Sequence, residues 1–235
     1  GTVTLTLTAY GNAPCGNATS SMVLTIDRQP VAYAGEDDEE CYSVGSYTVS
    51  GASVSHSSNF TWTENGIGNL TGANTLTPTY TFGTNEYGTV RLLLTATPVT
   101  GSVCSVAVDS MFLTITRPAT AYAGPNDAIC ETANNYALNG STISNYSAIL
   151  WTTNGTGTFS NPAILHPVYT PSVSDKQAGS VILTMRAYGN GSCGDAVHSM
   201  TLTIHPQPVA SAGDDAIRCS TAGSFTVSTA TASNY

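Results

Sequence analysis

The sequence contains very little charge, and basic residues are the scarcest part of it. Among 235 residues, Lys and Arg number six, Asp and Glu number 15, and the formal net charge is −9 at pH 7. Binding to a nucleic-acid backbone depends on neutralising a run of phosphates, and six scattered cations are too few to do so. The composition therefore predicts no nucleic-acid partner.

Long apolar runs and helical patterns are missing as well. No apolar stretch approaches the roughly 18 residues that a bilayer-spanning helix needs, so we expect no membrane insertion. No segment repeats apolar side chains at the three- and four-residue spacing of a helix. The chain begins at Gly1 without a charged and then apolar leader. We expect any export signal to have been removed or to lie outside this sequence.

The six cysteines reveal an internal repeat. They lie at positions 15, 41, 104, 130, 193 and 219, so gaps of 26 and 63 residues alternate and the period is 89 residues. Other residues follow the same period, since Trp62 corresponds to Trp151 and Tyr80 to Tyr169. Length differences between the copies are confined to loops, as expected for successive copies of one domain.

Each copy alternates apolar and polar side chains in short segments. Residues 90–96 and 181–187 carry apolar side chains at every second position, which is the pattern of a half-buried strand. Residues 110–115 and 199–204 repeat this pattern after a loop, so each pair is expected to form a hairpin. About seven short strands per copy, with a Trp in the middle and a cysteine near each end, predict an all-β fold of tandem immunoglobulin-like β-sandwich domains.

The period divides the chain into two complete and two partial copies. Complete immunoglobulin-like repeats are predicted at 30–118 and 119–207. Residues 1–29 match the last two strands of a repeat, and residues 208–235 match the first strands of another. The partial copies together still lack a Trp strand and its successors, so they do not make one domain. We expect further repeats beyond both ends, or neighbouring chains that supply the missing strands.

Residues suited to catalysis do not recur. The four histidines, at positions 56, 166, 198 and 205, occupy unrelated repeat positions and share no acidic or serine partner. No nucleophile is paired with a base, so the protein is predicted to be non-enzymatic. Trp62 and Trp151 recur mid-strand, and we predict core positions for them rather than a ligand platform.

The acidic turns before the cysteines are the candidate metal site. Calcium prefers hard oxygen ligands such as carboxylates. The candidate ligands are Asp37, Asp38, Asp127, Asp214 and Asp215. The set changes between copies, because position 126 is Asn and position 216 is Ala. The alternative interpretation is a solvated polar turn that keeps an edge strand from pairing with other chains. No other cofactor is expected.

The cysteines are predicted to form disulfides, because regular repetition in an exported chain indicates a covalent framework. Zinc binding would need closely spaced pairs such as C-x-x-C, which the sequence lacks. Two pairing schemes fit the spacing. The first closes each repeat on itself, with Cys41–Cys104 and Cys130–Cys193. The second joins successive repeats and leaves no cysteine unpaired, with Cys15–Cys41, Cys104–Cys130 and Cys193–Cys219.

A set of motifs resembles a known family. A-G-x-(D/N)-D precedes the cysteine in the complete copies, followed by W-x-x-x-G-x-G, Y-T, G-x-V-x-L-x-x-x-A and S-M-x-L-T-I. This set resembles the PKD-like and HYR-like immunoglobulin-like repeats of Bacteroidetes extracellular surface proteins, some of them gliding-motility adhesins. The resemblance implies an extracellular or cell-surface location. It also implies the first pairing scheme, in which Cys15 and Cys219 bond partners outside this sequence.

Two functions are consistent with these features. The first is a disulfide-stapled array that forms an extracellular stalk, adhesin or filament, with further copies of itself or adjacent repeats as partners. The alternative is a carbohydrate-binding module array that binds surface glycans through Tyr10, Tyr33, Tyr122 and Tyr188. The D-S-M motif around Ser110 resembles the Bacteroidetes O-glycosylation motif and marks this serine as a candidate modification site.

Overall fold

The computed structural model describes residues 1–234, and almost all of its regular elements are strands. The chain divides into two compact units, Gly1–Thr116 and a second that begins at Arg117. Within residues 1–234, no helix is long and apolar enough to cross a membrane. The predicted all-β fold is confirmed.

The first unit contains a terminal hairpin and one complete repeat. Its strands in chain order are β1 (Thr2–Ala9), β2 (Ala18–Thr25), β3 (Val31–Tyr33), β4 (Asp38–Cys41), β5 (Ser46–Thr48), β6 (Ser53–Ser55), β7 (Ser57–Glu64), β8 (Asn69–Thr71), β9 (Thr79–Thr81), β10 (Gly88–Pro98) and β11 (Ala107–Thr116). A short 3-10 helix, Tyr42–Val44, follows β4. It ends at Gly45, whose φ of 87° lies in the left-handed region that glycine tolerates.

Two layers of strands enclose the core of this repeat. The larger sheet has the order β4-β11-β10-β7. β4 runs parallel to β11, whereas the other neighbouring strands are antiparallel. The second layer consists of the β5-β9-β8 sheet and the β3-β6 pair. This order places the short strand β4 beside β11, the last strand of the repeat.

Side-chain alternation along the central hairpin produces the core. Every second residue of β10 is buried, from Val90 to Ala96, because successive side chains of a strand point to opposite faces. Trp62 on β7 is 2% exposed, and Tyr80 on β9 is fully buried against the same cluster. The apolar pattern predicted from the sequence therefore faces the second layer.

The second unit repeats this arrangement. Its elements are β12 (Thr120–Tyr122), β13 (Asp127–Cys130), β14 (Tyr136–Ala137), β15 (Thr142–Ser144), β16 (Ala148–Thr153), β17 (Thr158–Phe159), β18 (Val168–Thr170), α1 (Val173–Ala178), β19 (Ser180–Tyr188), β20 (Ala196–His205), β21 (Val209–Ser211) and β22 (Thr231–Ser233). The sheets have the orders β13-β20-β19-β16, β14-β18-β17 and β12-β15, with β13 parallel to β20. Trp151 is 2% exposed in the core of this repeat.

Helix α1 is the element that the alternating pattern did not predict. It occupies a segment that is two residues longer than its counterpart in the first repeat. Ser172 caps its N-terminus, and the side chain of Asp175 accepts a hydrogen bond from the backbone amide of Ser172 in return. Such a capping box satisfies amides that have no partner within the helix, so six residues are enough for one stable turn.

The β1–β2 hairpin shows what the second layer contributes. Leu5 and Met22 on this hairpin are 49% and 59% exposed. Their counterparts Leu92 and Met111 in the complete repeat are at most 1% exposed. The same strand pattern therefore buries its apolar face only where the opposite layer is present.

Candidate functional site

The loop between β9 and β10 of the first complete repeat carries a buried carboxylate. Glu86 is 7% exposed and accepts a hydrogen bond of 2.7 Å from the hydroxyl of Tyr80. The backbone amides of Ile67 and Gly83 donate to the same carboxylate at 2.8 Å and 2.7 Å. Burial by itself would raise the pKa of Glu86, but these hydrogen bonds outweigh it and lower the pKa. The side chain is therefore held as a carboxylate.

The second repeat builds the same site from a different acid. Asp175, 2% exposed, lies 89 residues after Glu86 and accepts from the hydroxyl of Tyr169 at 2.8 Å. The amides of Thr156 and Ser172 donate to it at 2.9 Å each. Burial again opposes the charge, and the hydrogen bonds again lower the pKa of the carboxyl. All four positions of this network correspond through the period.

The W-x-x-x-G-x-G motif makes room for this network. The amide of Gly68 donates to the hydroxyl of Tyr80 at 2.8 Å. A side-chain carbon at Gly66 would collide with that hydroxyl, and one at Gly155 would collide with the carboxylate of Asp175. Sequence reasoning missed Glu86 and Asp175. The available signal was their exact spacing, six residues after each tyrosine of the Y-T motif.

Asp37, a candidate calcium ligand, ties the start of the repeat to its last strand. Its carboxylate accepts a hydrogen bond of 2.8 Å from the amide of Phe112 on β11. In the second repeat, the side-chain oxygen of Asn126 accepts from the amide of Thr201 at the same distance. A neutral amide therefore replaces the carboxylate without loss of the bond, which indicates that the bond requires an acceptor and no charge.

Asp38 and Asp127 accept hydrogen bonds from tyrosines. The hydroxyl of Tyr47 donates to Asp38 and that of Tyr136 to Asp127, both at 2.9 Å. Burial, followed by the hydrogen bond to the carboxylate, raises the pKa of each tyrosine to about 12. Asp38 and Asp127 thus accept the same hydrogen bond, from a tyrosine hydroxyl, in the two repeats.

The remaining calcium candidates, Asp214 and Asp215, are exposed in the C-terminal segment. Within residues 1–234, no three His, Cys, Asp or Glu side chains converge into a group that would hold a metal ion. Calcium coordination by the acidic turns stays a prediction.

The cysteines differ in bonding state. Cys41 and Cys193 are disulfide-bonded. The free thiols are Cys15, Cys104, Cys130 and Cys219. Neither of the pairs favoured by the family resemblance, Cys41–Cys104 and Cys130–Cys193, is therefore formed in the structure.

Strand register explains why a repeat is not closed on itself. Cys41 lies opposite Thr116, at the end of β11, whereas Cys104 precedes Ala107 at the beginning of that strand. Nine residues of strand separate these two ends, which is roughly 30 Å at about 3.4 Å per residue. A disulfide needs Cα atoms within about 7 Å. The sequence pattern gave no sign that β4 runs parallel to β11, the last strand of the repeat.

The same geometry applies to Cys130 and Cys193. Cys130 lies opposite His205 at the end of β20, and Cys193 precedes Ala196 at its beginning. The second scheme is not formed either, because Cys15, Cys104, Cys130 and Cys219 are free thiols. The thiol of Cys104 lies 3.9 Å from the carbonyl of Asp27.

The two core tryptophans differ at their indole nitrogens. Nε1 of Trp62 donates to the carbonyl of Thr75 at 3.0 Å. Nε1 of Trp151 is buried and has no hydrogen-bond partner among residues 1–234. Both indole rings lie in the core, where no ligand platform is accessible.

Ser110, the candidate glycosylation site, is half-buried on β11 opposite Leu93. The Asp109 of its motif accepts a hydrogen bond of 2.8 Å from the amide of Ala34. The corresponding residue in the second repeat, His198, accepts from Ala123 at 3.1 Å. Asp109 therefore has a role in the fold, and modification of Ser110 stays a prediction.

The four tyrosines considered for glycan binding have different surroundings. Tyr10 is 83% exposed near the terminal hairpin. Tyr33 donates a hydrogen bond to a glutamate, Tyr122 packs against a histidine ring at 4.9 Å, and the ring of Tyr188 lies 5.0 Å from an arginine guanidinium. No common ring arrangement recurs among these four residues.

Comparison with solved structures finds tandem immunoglobulin domains. The chain matches "Sidekick-1 immunoglobulin domains 1-5" with a TM-score of 0.50 and 16% identity, over 86% of this chain and 46% of that chain. It matches Sidekick-1 domains 1-4 with a TM-score of 0.48 and 16% identity, over 84% and 56%. The chain thus spans about half the length of these structures. No family model and no curated protein matches the sequence. The predicted tandem immunoglobulin-like fold is confirmed.

Proposed function

We propose that this chain is a non-enzymatic, load-bearing part of an extracellular repeat array, such as a stalk, an adhesin or a filament. The observation that carries the proposal is the parallel pairing, in each complete repeat, of the short strand that ends in a cysteine with the last strand of the repeat. β4 pairs with β11 from Asp38–Leu113 to Cys41–Thr116, and β13 pairs with β20 from Asp127–Leu202 to Cys130–His205.

Parallel pairing determines how a pulling force reaches the hydrogen bonds. The chain enters β4 from its N-terminal side and leaves β11 at its C-terminal end, so tension pulls the two strands in opposite directions along their length. All bonds between the strands are then loaded together. An antiparallel hairpin pulled at its open end breaks its bonds one after another. Because each bond contributes only about 0.5–1.5 kcal/mol, simultaneous loading greatly increases resistance.

The recurring polar groups support a structural role. The pairs Glu86 and Asp175, and Asp37 and Asn126, recur because they hold loops and strands together. Groups that catalysis would need, such as a nucleophile with a neighbouring base, do not recur. These recurring hydrogen bonds are therefore accounted for by stability of the fold.

An extracellular location is part of the proposal. Disulfides persist in oxidising compartments, and Cys41 and Cys193 are disulfide-bonded. The resemblance to Bacteroidetes surface repeats, including gliding-motility adhesins, agrees with this location. Adjacent repeats of a longer chain, or further copies, are the proposed partners.

Force spectroscopy on the reduced protein tests the load-bearing role. We expect a higher unfolding force when handles pull on the two termini of the chain than when they pull on Gly88 and Thr116, the open end of the β10–β11 hairpin. The second geometry is the matched control because it separates strands of the same sheet one bond at a time. Equal or lower force between the termini would contradict the proposal.

The carbohydrate-binding alternative has a direct test of its own. A glycan array probed with this protein would show specific sugar binding, lost in Tyr122→Ala, if the alternative holds. Because the four tyrosines have different surroundings, we expect no specific sugar binding on this array.

A further inference from the structure

The β1–β2 hairpin carries an apolar face that is left uncovered. Six apolar side chains point to one side of this hairpin, and each of them is 42–74% exposed: Val3, Leu5, Leu7, Met22, Leu24 and Ile26. We call these six residues the hairpin face. Their counterparts on β10 and β11 are at most 4% exposed. A contiguous apolar patch of this kind is typical of an interaction surface.

In the complete repeats, the segment at the start of the repeat covers the corresponding face. In the first of them this segment is residues 31–55, which contain β3 to β6. β4 pairs with the edge of β11, and Ala34 and Val49 lie in the same core cluster as Leu92 and Met111. A cover for the hairpin face is therefore expected to resemble residues 31–55.

Residues 209–233, which we call the covering segment, are a further copy of that start of a repeat. Their strands β21 and β22 pair antiparallel, as β3 pairs with β6 and β12 with β15. Phe225 and Val227 correspond to Tyr47 and Val49 by two 89-residue periods. Val49 is fully buried, whereas Val227 is 54% exposed and Phe225 is 53% exposed. The covering segment therefore exposes the side chains with which a repeat completes its core.

We propose that the covering segment of a second copy of this chain docks on the hairpin face, with its residues 216–219 parallel to residues 24–27 of β2 and its continuation. β1 and β2 form a two-stranded sheet, so the outer edge of β2 presents backbone groups to a further strand. Shifting the β4–β11 register by the repeat period sets Ala216 opposite Leu24 and Cys219 opposite Asp27, and the β13–β20 register gives the same pairs. Because donor and acceptor are different surfaces, the assembly is head to tail and open-ended.

Asp215 of the covering segment supplies one hydrogen-bond acceptor for this docking. Its counterparts Asp37 and Asn126 each accept a hydrogen bond of 2.8 Å from a backbone amide of the last strand of their repeat. The corresponding amide on β2 is that of Val23. Residues 2–26 contain no Asp, Glu, Lys or Arg, so Asp215 meets no like charge on this hairpin. The contact that ties each complete repeat together can therefore form between copies.

Ser20 of the hairpin supplies a second acceptor. The residues at this position in the complete repeats, Asp109 and His198, each accept a hydrogen bond from the backbone amide of an alanine. The covering segment keeps this alanine as Ala212. A serine hydroxyl has two acceptor lone pairs, so Ser20 can accept from the same amide. Both polar contacts of the complete repeats thus have a matching donor and acceptor in the docked copies.

The docking rests on the proposed repeat-array function, because it names the partner in that array. Tension along the array enters the docked strand from its N-terminal side and leaves β2 at its C-terminal end. It loads the bonds between copies together, as in the β4–β11 pair. Association is measured without applied force. Failure to associate would leave the force-spectroscopy result unchanged, and equal unfolding forces would leave the association unchanged.

Sedimentation of matched variants tests the docking. The wild type should form dimers and longer oligomers as its concentration rises. Met22→Asp places a charge on the hairpin face and should stay monomeric. Val23→Asp is the control, because its side chain points to the opposite side of β2, and it should associate like the wild type. Met22 and Val23 are 59% and 63% exposed, so neither substitution disturbs a core within the chain.

Two results of this experiment would overturn the proposal. A wild type that stays monomeric at every concentration would do so in favour of a cover from outside this sequence. An equal effect of Met22→Asp and Val23→Asp on association would show that the hairpin face is not the surface involved.

Mixing two defective chains tests the head-to-tail arrangement. Val227→Asp disrupts the covering segment and keeps the hairpin face, whereas Met22→Asp does the reverse. Each variant alone should be monomeric. Their mixture should form a dimer and no longer oligomer, because one intact donor and one intact acceptor remain. Association of Val227→Asp alone, at the wild-type level, would overturn the proposal in favour of pairing between two hairpin faces. A mixture that stays monomeric would also overturn it.

A cross-link between cysteines shows the direction of the docked strand. The thiol of Cys104 lies 3.9 Å from the carbonyl of Asp27, so parallel docking brings Cys219 of the second copy close to Cys104. Cys15 precedes β2 at the other end of the hairpin, and antiparallel docking would bring Cys219 close to it instead. Cys15, Cys104 and Cys219 are free thiols.

The oligomers are treated with a short bifunctional maleimide, separated under denaturing conditions and digested. We expect a linked peptide that contains Cys104 and Cys219, from the band with the mass of two chains. A Cys15–Cys219 peptide, or no link to Cys219, would overturn the parallel register. A Cys104–Cys219 peptide found only in the band of a single chain would overturn docking between copies.

Discussion

The two complete repeats make the same hydrogen bonds with different side chains. Position 86 is Glu and position 175 is Asp, yet each accepts from a tyrosine and two backbone amides. Position 37 is Asp and position 126 is Asn, yet each accepts from the last strand. The comparison shows that the fold requires an acceptor at a given place more strictly than it requires one residue type.

Local backbone structure compensates for the shorter acid. Glu86 extends from an irregular loop, whereas Asp175 sits in the first turn of α1, where Ser172 caps the helix. The helix brings the backbone of Asp175 close enough for a side chain with one methylene fewer to reach Tyr169 at 2.8 Å. The segment that forms α1 is two residues longer in the second repeat, and α1 allows the shorter Asp175 to replace Glu86. The longer loop and the change from Glu to Asp therefore belong together.

The largest expected effect is removal of a core tryptophan. Trp62→Ala and Trp151→Ala should each destabilise their own repeat by about 3–5 kcal/mol, through lost burial and a residual cavity. Denaturation followed by circular dichroism measures the change. Each variant leaves one tryptophan, whose fluorescence reports on the unmutated repeat and should keep its midpoint. A loss below about 1 kcal/mol would show that the ring is not in the core.

Phenylalanine variants separate the two tryptophans. Trp62→Phe also loses the bond to Thr75, which contributes about 1 kcal/mol, whereas Trp151→Phe loses no such bond. Trp62→Phe should therefore be the more destabilising of the two. The reverse order would contradict the difference between the indole nitrogens.

Removing the buried charge should have the next largest effect. Glu86→Gln and Asp175→Asn should each cost about 1.5–3 kcal/mol at neutral pH, because hydrogen bonds to a carboxylate become neutral ones. Urea denaturation measures the change. Arg91→Gln, on an exposed residue of β10, is a control for substitution alone.

The same variants make a prediction about acid. The pKa of each carboxyl is lowered in the folded state, so the folded protein binds fewer protons than the unfolded chain. The stabilisation is present above the unfolded values of about 4.3 for Glu and 3.9 for Asp, and is lost as pH falls through the folded pKa. The Gln and Asn variants should lose less stability in this range. An unchanged acid profile would show that these carboxyls do not titrate with unfolding.

Much of the fold could be predicted from the sequence, because a two-residue alternation and an 89-residue period are local or periodic signals. The Trp and Tyr positions followed from the same period. The parallel pairing of β4 with β11 could not be predicted, because nothing in a four-residue acidic segment specifies its partner's direction. The predicted pairing of the cysteines was wrong for the same reason, because the distance between two cysteines of a repeat depends on the direction of the strands that carry them.

The candidate site was harder to predict than the fold. The acidic residues attracted a calcium interpretation because they are clustered in sequence, whereas Glu86 and Asp175 are single acids within polar loops. Only burial distinguishes them, and burial depends on a tyrosine from a neighbouring strand and on glycines from the turn after the Trp strand.

A smaller effect is expected at the acidic turn. Asp37→Ala should cost about 1 kcal/mol through loss of the bond to Phe112, whereas Asp37→Asn should be close to neutral, as Asn126 indicates. Thermal melts with millimolar Ca²⁺ or EDTA accompany both variants. A melting temperature raised by Ca²⁺ in the wild type but not in Asp37→Asn would support calcium coordination. A melting temperature that EDTA does not change would contradict calcium coordination.

The smallest effect concerns the tyrosines of β5 and β14 that donate to Asp38 and Asp127, and it tests whether the two repeats remain equivalent at high pH. Tyr47 and Tyr136 each have a pKa raised to about 12, from an ordinary value near 10. The folded state therefore keeps a proton that the unfolded chain releases. The associated stability is present below about pH 10 and is lost as pH rises through the folded pKa. Tyr47→Phe and Tyr136→Phe should each cost about 0.5 kcal/mol at neutral pH and flatten the alkaline loss of their own repeat. Denaturation between pH 8 and 11 measures this slope, with the 40% exposed Tyr146→Phe as the control. Equal slopes in all three variants would show that the hydrogen bonds to Asp38 and Asp127 do not persist in solution.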